Sequence, residues 1–559
     1  MPAQDTSLVI MHYHLKPGGV TSVVRDDLKA LLRYADWLGP VRLVVGSHEA
    51  LDSFRANIEP ELKGHTLEIT VLRELDYTEG CSETEQSEAL HRALTGFLNE
   101  NSVWWIHNYH LGKNPVFTEV LLHLIARHPE QRVLLQIHDF AECGRYQNLE
   151  SLRTCITTDP YPTAANVRYI TINGRDHRLL LSAGIPDRQV WTLHNPAPVR
   201  GELQGAEAAD RPSIRAALAD TFGGHAGRFD PKLPMAIYPV RTIRRKNAFE
   251  SLLLARVSPA EHNLLLTLPG VSQPEQRYSQ LVQAAFRKGF VPGLWGIGDR
   301  LVQAGLGFDH LVGACELIVS ASVQEGFGYQ FVTALTHAVP LFARRLEVLT
   351  GTDRLFDRFP SYFYNEVRVP WHSRHEPELH AETARSYERR IASAAAILPA
   401  SARERLHAEL TALVSAETAE FSYLAPRHQY RILEEVANDH GCRREVFQLN
   451  SALCEHIGRL LNTPVNGEHH ARVTKLADWF GLESVARGIA IVIDSFDTRS
   501  GKPPAQREFD APSQLTTIAE CAAIRRFATP EVHPLPGNSV QERLIYAFSR
   551  LENLRLLYD

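Results

Sequence analysis

Short apolar segments alternate with amphipathic ones along the first 200 residues of the chain. The apolar segments are rich in Val, Ile, Leu and Trp and have the length of buried strands. They predict strands at Leu8–His12, Val41–Val45, Leu67–Leu72, Val103–His107, Val133–His138, Tyr169–Asn173 and Val190–His194. Amphipathic runs predict helices at Val20–Tyr34, Ser87–Leu98 and Val116–Arg127. Such alternation is typical of a parallel sheet that helices cover on both faces.

The same pattern resumes after a stretch of different composition. Gly201–Leu233 is rich in Gly, Ala, Asp and Pro, with one short helix predicted at Ser213–Phe222, and we interpret it as an interdomain connection. Further strands are predicted at Met235–Val240, Leu264–Leu268, Leu317–Ser320 and Val339–Phe342, with helices at Ala248–Val257, Tyr278–Arg287 and Gln330–Thr336.

The strand pattern fades after about Trp371. Glu376–Glu417 and Arg427–Asn438 are predicted to be helical. The remaining residues read as mainly helical, apart from Ala490–Ile493 and a polar loop at Asp494–Ala511. The pattern therefore predicts an α/β chain with two Rossmann-like parallel-sheet domains facing a cleft, residues 1–225 and 226–370. A mainly helical C-terminal extension, residues 371–559, is predicted to cross back in part to the first domain.

Composition narrows the class of protein without naming a function. The 559 residues are 44% hydrophobic and 22% charged, with a formal net charge of −6, which argues against a general nucleic-acid binder. No apolar run is long enough to span a membrane, and the first residues do not resemble a signal peptide. The seven cysteines are scattered and form no CxxC pair, so we expect reduced thiols and a cytoplasmic protein.

Because ligands of parallel sheets bind beyond the carboxyl ends of the strands, the loops there hold the candidate site. The first such loop contains Gly18 and Gly19 before a helix, where backbone amides can approach an anion. A tight turn without a ligand explains the glycines equally well. His12 and His14 could form a metal pair, but no convincing further ligands follow, so no metal site is predicted.

The second loop follows a strongly apolar strand and begins with His138 and Asp139. His138 could hydrogen-bond a sugar hydroxyl, or it could be a structural histidine that caps the strand. The polar side chains after it could hold an acceptor or be solvated, and so could those that follow the preceding strand. The residues after His138 are Glu142, Arg145 and Asn148, and those at the end of the preceding strand and after it are His107, Asn108, His110 and Lys113.

Two loops of the second half complete the set of motifs. Arg241, Arg244, Arg245 and Lys246 follow a strand and suit a phosphate site, with a solvated basic loop as the alternative. Glu325-Gly326-Phe327-Gly328 also follows a strand and opens a helix. Its carboxylate can accept hydrogen bonds from sugar hydroxyls, and the amides after it can hold a diphosphate at the helix N-terminus.

In this order the four segments resemble the retaining GT-B glycosyltransferases of family four, the group that includes sucrose and trehalose-type synthases. The resemblance covers about residues 8–350. It implies that Gly18 and Gly19 face the donor phosphates, that His138 contacts the donor sugar, and that Arg241 and Lys246 bind the diphosphate. Glu325, Phe327 and Gly328 match the first part of the family's acidic motif. Thr333 stands where the family has a second glutamate that holds the ribose.

The resemblance implies transfer of a hexose, foremost glucose, from a UDP-linked donor to the hydroxyl of a small polar acceptor, with retention at the anomeric carbon. Neither a metal nor another cofactor is implied. The first domain would be the acceptor side and the second the donor side. The implied partners are small molecules, with no nucleic acid and no stable membrane insertion, and a homo-oligomer is compatible with the sequence.

The implied catalytic residues are His138, Glu325, Arg241 and Lys246. Donor binding adds Gly18, Gly19, Gly326, Phe327, Gly328 and Thr333, and acceptor binding His107, Asn108, His110, Lys113, Asp139, Glu142, Arg145 and Asn148. Because of Thr333, a retaining phosphorylase that uses a sugar 1-phosphate stays open as an alternative. A non-catalytic sugar- or nucleotide-binding protein of the same fold is a second alternative.

Overall fold

The computed structural model describes residues 2–78, 84–197, 210–222, 227–372, 377–464, 476–497 and 534–556. The chain forms two compact units. Unit 1 comprises Met1–Pro198, Ile397–Pro399 and Lys475–Ser549, and unit 2 comprises Val199–Ala396, Ala400–Thr474 and Arg550–Asp559. The residues predicted as a C-terminal extension are therefore divided between the two units.

Unit 1 is built on a sheet of seven parallel strands in the order β3-β2-β1-β4-β5-β6-β7. The strands are β1 (Thr6–His12), β2 (Leu38–Val45), β3 (Leu67–Val71), β4 (Ser102–His107), β5 (Arg132–Ile137), β6 (Val167–Thr171) and β7 (Val190–Thr192). All residues of β4 and all but the first of β5 are buried, as expected for central strands covered on both faces.

The helices of unit 1 come from both ends of the chain. From the N-terminal part they are α1 (Gly19–Tyr34), α2 (Leu51–Ile58), α3 (Thr84–Thr95), α4 (Pro115–Arg127), α5 (Tyr146–Cys155) and α6 (Gly174–Ala183). Two hydrophobic clusters cover the sheet, and each includes late residues of the chain, such as Leu544 in one and Ile489 in the other.

Unit 2 is built on six parallel strands in the order β10-β9-β8-β11-β12-β13. The strands are β8 (Met235–Arg241), β9 (Asn263–Leu268), β10 (Gly293–Trp295), β11 (Leu317–Ser320), β12 (Leu341–Arg344) and β13 (Ser361–Tyr364). A small antiparallel ribbon joins β14 (Arg368–Pro370) and β15 (Thr418–Glu420).

The helices of unit 2 pack around this sheet. They are α7 (Arg211–Phe222), α8 (Ala248–Val257), α9 (Gln273–Arg287), α10 (Phe308–Ala314), α11 (Tyr329–Thr336), α12 (Leu379–Ser393), α13 (Ala400–Ser415), α14 (Pro426–Asn438), α15 (His440–Leu449) and α16 (Ser451–Leu461). Three late helices of unit 1, α17 (Ala477–Phe480), α18 (Leu482–Asp494) and α19 (Val540–Phe548), and the short α20 (Leu551–Leu554) of unit 2 complete the described helices.

The prediction of two Rossmann-like parallel-sheet domains followed by a mainly helical region is confirmed. The predicted strands of unit 1 all exist. In unit 2 the pattern missed β10, which has three residues, and the edge strand β13, whose first three residues are only half-buried. It also missed both strands of the ribbon, β14 and β15. Most of the predicted connection, residues 201–209 and 223–226, lies outside the described residues, but its predicted helix exists as α7.

The interpretation of Ala490–Ile493 as a break in the helical region is wrong, because these residues complete α18. Their β-branched side chains suggest a strand. However, Val485, Ile489, Val492 and Ile493 are buried at helical spacing in the hydrophobic cluster beneath α1, and tertiary packing overrides the local preference. Of the predicted loop Asp494–Ala511, residues 498–511 lie outside the described residues.

Four cysteines, Cys143, Cys315, Cys442 and Cys454, are free thiols. Cys155 is disulfide-bonded, so the expectation of reduced thiols is wrong at this position. Cys81 and Cys521 lie outside the described residues. None of the helices in the described part of the chain is long and apolar enough to cross a membrane.

Candidate functional site

In unit 1 three histidines lie at the carboxyl ends of adjacent strands. His12 ends β1, His107 ends β4, and His138 follows β5. His107 Nδ1 lies 3.0 Å from His138 Nε2, and the two rings stack with centroids 5.3 Å apart. The ring of His12 meets that of His107 edge-on at 6.2 Å. The sheet therefore unites residues that are far apart in sequence.

These histidines are held in the neutral form. Burial lowers the pKa of His138 to about 4 and that of His12 to about 3. Burial also lowers the pKa of His107 well below its ordinary value, and the neighbouring His138 and His12 add to the effect. Near neutral pH each ring therefore offers one donor and one acceptor nitrogen and no positive charge.

Two further predicted acceptor residues connect the loops after β4 and β5. Asn108 has a left-handed backbone with φ of 56°, which asparagine tolerates, and its Oδ1 accepts the backbone N–H of His138 at 2.8 Å. His110 Nε2 lies 3.0 Å from the carbonyl oxygen of Asp139. Both side chains thus position the loop that carries His138.

The cationic side chains of this edge gather around Tyr77. The Lys113 ammonium lies 5.2 Å from the centre of the Tyr77 ring, and burial together with the nearby charge of Arg145 lowers the pKa of Lys113. Arg145 pairs with Asp139 at 2.9 Å, and both side chains stay about one-third exposed. Tyr77 follows no recognisable pattern in the sequence and was not predicted as a site residue.

Glu142 and Asn148 take part in the interior of the loop. The Tyr161 hydroxyl donates to Glu142 Oε2 at 2.9 Å, and burial raises the pKa of Glu142 to about 7. Asn148 Nδ2 donates to the carbonyl oxygen of Leu111 at 2.9 Å. Glu142 is only 1% exposed, so its carboxyl group is neither solvated nor presented at the surface of unit 1.

The glycine loop is exposed at the start of α1, which begins at Gly19. A Cβ atom on Gly19 would meet nothing within 4 Å, and one on Gly18 would meet only the Lys16 carbonyl oxygen at 3.8 Å. Packing within unit 1 therefore gives no reason for two glycines, and their role at the donor phosphates stays a prediction.

In unit 2 the structure joins the two predicted donor motifs. Lys246 follows β8 and Glu325 follows β11, and these strands are neighbours in the sheet. Lys246 Nζ donates to Glu325 Oε1 at 2.5 Å, and the two side chains are 12% and 7% exposed. Gln330, in the first turn of α11, donates to the same oxygen at 2.8 Å.

The two charges stabilise each other against burial. Burial lowers the pKa of Lys246, while the carboxylate of Glu325 acts in the opposite direction. For Glu325, burial alone would raise the pKa, but the charges of Lys246 and Arg245 outweigh it and lower the pKa. We therefore assign an ammonium and a carboxylate to this pair at neutral pH.

The rest of the basic loop divides by function. Arg241 is exposed at the end of β8, whereas Arg244 is buried and donates to the carbonyl oxygens of Ser422 and Leu424, both at 2.9 Å. The Tyr238 hydroxyl donates to the carbonyl oxygen of Lys246 at 2.7 Å. Of the four cationic side chains in this loop, Lys246, Arg241 and the half-buried Arg245 therefore remain candidates for phosphate binding.

The loop of residues 325–328, which we call the acidic loop, contains a glycine that its backbone conformation requires. Gly328 has φ of 86°, and a Cβ there would lie 2.5 Å from Phe331 Cδ2. Phe327 is half-buried and its ring lies 4.9 Å from that of Tyr329, while Gly326 precedes it on the same half-buried turn. The Thr333 hydroxyl donates to the carbonyl oxygen of Tyr329 at 2.9 Å within α11.

The candidate residues thus form two sets, one on each unit: His138 and the acceptor-loop residues with Gly18 and Gly19 on unit 1, and Arg241, Lys246, the acidic loop and Thr333 on unit 2. Gln330 was not predicted as a site residue, although its place two positions after Gly328, in the first helical turn, is a usable signal. Within the described ranges, no group of three or more His, Cys, Asp or Glu side chains could hold a metal ion.

Comparison with known proteins yields one full-length relative. The chain is 26% identical over 561 residues to mannosylglucosyl-3-phosphoglycerate synthase from Petrotoga mobilis, with 99% of both chains covered. No family model matches the chain.

Solved structures with similar folds include HepE of Anabaena in complex with UDP-glucose, which is 13% identical with a TM-score of 0.43 and covers 81% of this chain and 99% of its own. Sucrose-phosphate synthase from Thermosynechococcus elongatus is 15% identical with a TM-score of 0.41, and the match covers 81% of this chain and 98% of that protein.

Proposed function

We propose that the chain is a GT-B glycosyltransferase that transfers a hexose from a nucleotide-sugar to a hydroxyl of a small anionic acceptor, with retention at the anomeric carbon. The observation that carries the proposal is the buried pair of Lys246 and Glu325, because it joins the predicted diphosphate and sugar motifs at one point of the unit 2 sheet.

The pair suits a donor with a diphosphate leaving group. Lys246 has three N–H donors and uses one on Glu325, so others remain for phosphate oxygens. Arg241 is exposed at the end of the same strand and can contact two phosphate oxygens at once. These cations would neutralise the charge that develops on the leaving diphosphate, and we propose that they act without a metal.

The hexose itself would be positioned by uncharged or negative groups. The carboxylate of Glu325 can accept from sugar hydroxyls, and the neutral ring of His138 can donate to or accept from one. With these groups the protein orients the substrates, and the leaving phosphate takes the proton of the attacking hydroxyl on the same face.

The acceptor is proposed to carry negative charge. Lys113 and Arg145 lie near Tyr77 on unit 1 and are placed to meet a phosphate or carboxylate. The name of the Petrotoga relative describes a phosphoglycerate glycoside as its product. We therefore propose 3-phosphoglycerate or its glucosyl derivative as the acceptor class. Glucose was expected as the transferred hexose, and the name of the relative adds mannose as a candidate.

The test is transfer by the full chain with UDP- and GDP-linked glucose and mannose, with these acceptors, followed by the release of nucleoside diphosphate. We expect Lys246→Ala to abolish transfer and to retain the wild-type circular dichroism spectrum. Lys232→Ala, at an exposed lysine of the same unit, is the matched control and should retain full activity. Wild-type turnover by Lys246→Ala would refute the site, and inversion of the anomeric configuration in the NMR spectrum of the product would refute retention.

A retaining phosphorylase remains the second candidate because of Thr333. Its hydroxyl already donates within α11, and it has no carboxylate to hold two ribose hydroxyls. Formation of a sugar 1-phosphate from the glycoside and inorganic phosphate, without any nucleotide, would establish this alternative. The cytoplasmic location and a homo-oligomer stay predictions.

A further inference from the structure

A cavity of about 570 Å³ lies in unit 2, and neither Lys246 nor Glu325 lines it. Its walls are the N-terminal parts of α9 and α14 and one face of α12. Among the described residues, five arginines line it against a single carboxylate, that of Glu382. The arginines are Arg244, Arg277, Arg385, Arg389 and Arg427.

The positive charge of this cavity is only partly compensated. Glu382 is shared between Arg427 at 2.6 Å and His428 at 3.1 Å. Within the described part of unit 2, Arg277 and Arg389 form no ion pair. Because both are exposed on the cavity wall, their guanidinium groups are available to an anion from solvent.

The wall beneath them is also cationic. Arg244 is 2% exposed, and its pKa is lowered by burial, with smaller effects from the charges of Arg390 and Arg555. The first turn of α14, which has 13 residues, contains no acidic residue and contributes the positive end of the helix dipole. An anion in the cavity would relieve this accumulation of positive charge.

We propose that this cavity binds a small organic phosphate at a site separate from the donor site. Arg277 and Arg389 bind the phosphate, and the apolar side chains of Pro274 and Leu281, which also line the cavity, contact the organic part. The volume suits a small molecule and is well below that needed for a macromolecular segment. The proposal does not depend on the transferred sugar or its acceptor.

Isothermal titration calorimetry of the full chain tests the site, with glycerol 3-phosphate and inorganic phosphate as probes. We expect saturable binding of glycerol 3-phosphate to the wild type and to Lys246→Ala. The double variant Arg277→Ala/Arg389→Ala should bind it at least about tenfold more weakly. Arg287→Ala, an exposed arginine at the other end of α9, is the control and should bind as the wild type does.

Undiminished binding by the double variant, or loss of binding in Lys246→Ala, would overturn the proposal. Equal affinity for inorganic phosphate would overturn the assignment of an organic ligand.

Discussion

The buried carboxyl group of Glu142 makes the stability of unit 1 depend on pH. Its pKa is raised to about 7 by burial, although the Tyr161 hydroxyl that donates to Oε2 at 2.9 Å acts in the opposite direction. In the unfolded chain the same group has an ordinary value of 4.5. Between these two values the folded form binds more protons than the unfolded form, so stability falls as pH rises from about 4.5 to 7.

The size of this effect follows from the two pKa values. The pKa of Glu142 rises from 4.5 to about 7 on folding. At about 1.4 kcal/mol for each unit of pKa, the free energy of unfolding is lower by about 3 kcal/mol once the pH exceeds 7. Glu142→Gln removes the titration and keeps an oxygen that can accept the Tyr161 proton. For a unit of this size, about 3 kcal/mol corresponds to a difference of about 6–12 °C in melting temperature.

The assay is the melting temperature of wild type and Glu142→Gln from pH 5 to pH 8, with the transition of unit 1 followed by hydrogen exchange. At pH 5 the wild type has lost only about 1 kcal/mol, so the two melting temperatures should lie close together, and the variant should melt clearly higher at pH 8. The buried histidines His12, His107 and His138 titrate in both proteins, so the difference between the two isolates Glu142. A constant difference across this pH range would refute the reasoning.

Two further substitutions test the interior of unit 2 and its glycines. Arg344→Met leaves the carboxylates of Glu250 and Glu420 buried without their shared guanidinium, so we expect a loss of about 3–5 kcal/mol and a lower denaturant midpoint. An unchanged midpoint would contradict this. Gly328→Ala places a methyl group 2.5 Å from Phe331 Cδ2 at φ of 86°, which should cost about 1–3 kcal/mol. Gly19→Ala, where a Cβ meets nothing within 4 Å, should melt as the wild type does, and equal melting of both alanine variants would refute the strain at Gly328.

The network around Arg344 also explains how the end of the chain is held in unit 2. Glu420 accepts from Arg344 at 2.7 Å, and the Ser422 hydroxyl donates to its other oxygen at 2.5 Å. Arg555 in turn donates to Ser422 Oγ at 2.6 Å. Buried charges are tolerated when each is paired and hydrogen-bonded. Through these contacts the last described turn packs against the ribbon of β14 and β15.

The hydrophobic pattern alone determined the architecture of this protein. Buried strands such as β4 and β5 appear as short apolar runs because helices cover both faces of a parallel sheet, and the order of strands and helices then restricts the topology. The same pattern placed the candidate motifs at the carboxyl ends of strands. The pattern did not predict β10 and β13, because the three residues of β10 and the half-buried residues of β13 give too weak a hydrophobic signal.

Only the tertiary structure decided which of those residues meet. Lys246 and Glu325 are 79 positions apart, and they form a pair because β8 and β11 are neighbours in the sheet. Arg244 lies two positions before Lys246 and looks equivalent to it in sequence, yet its side chain is fixed by backbone carbonyls from the end of β15 onward. Local periodicity reports burial, whereas the partner and direction of a polar side chain depend on strands and loops that are distant in the sequence, and no local pattern encodes them.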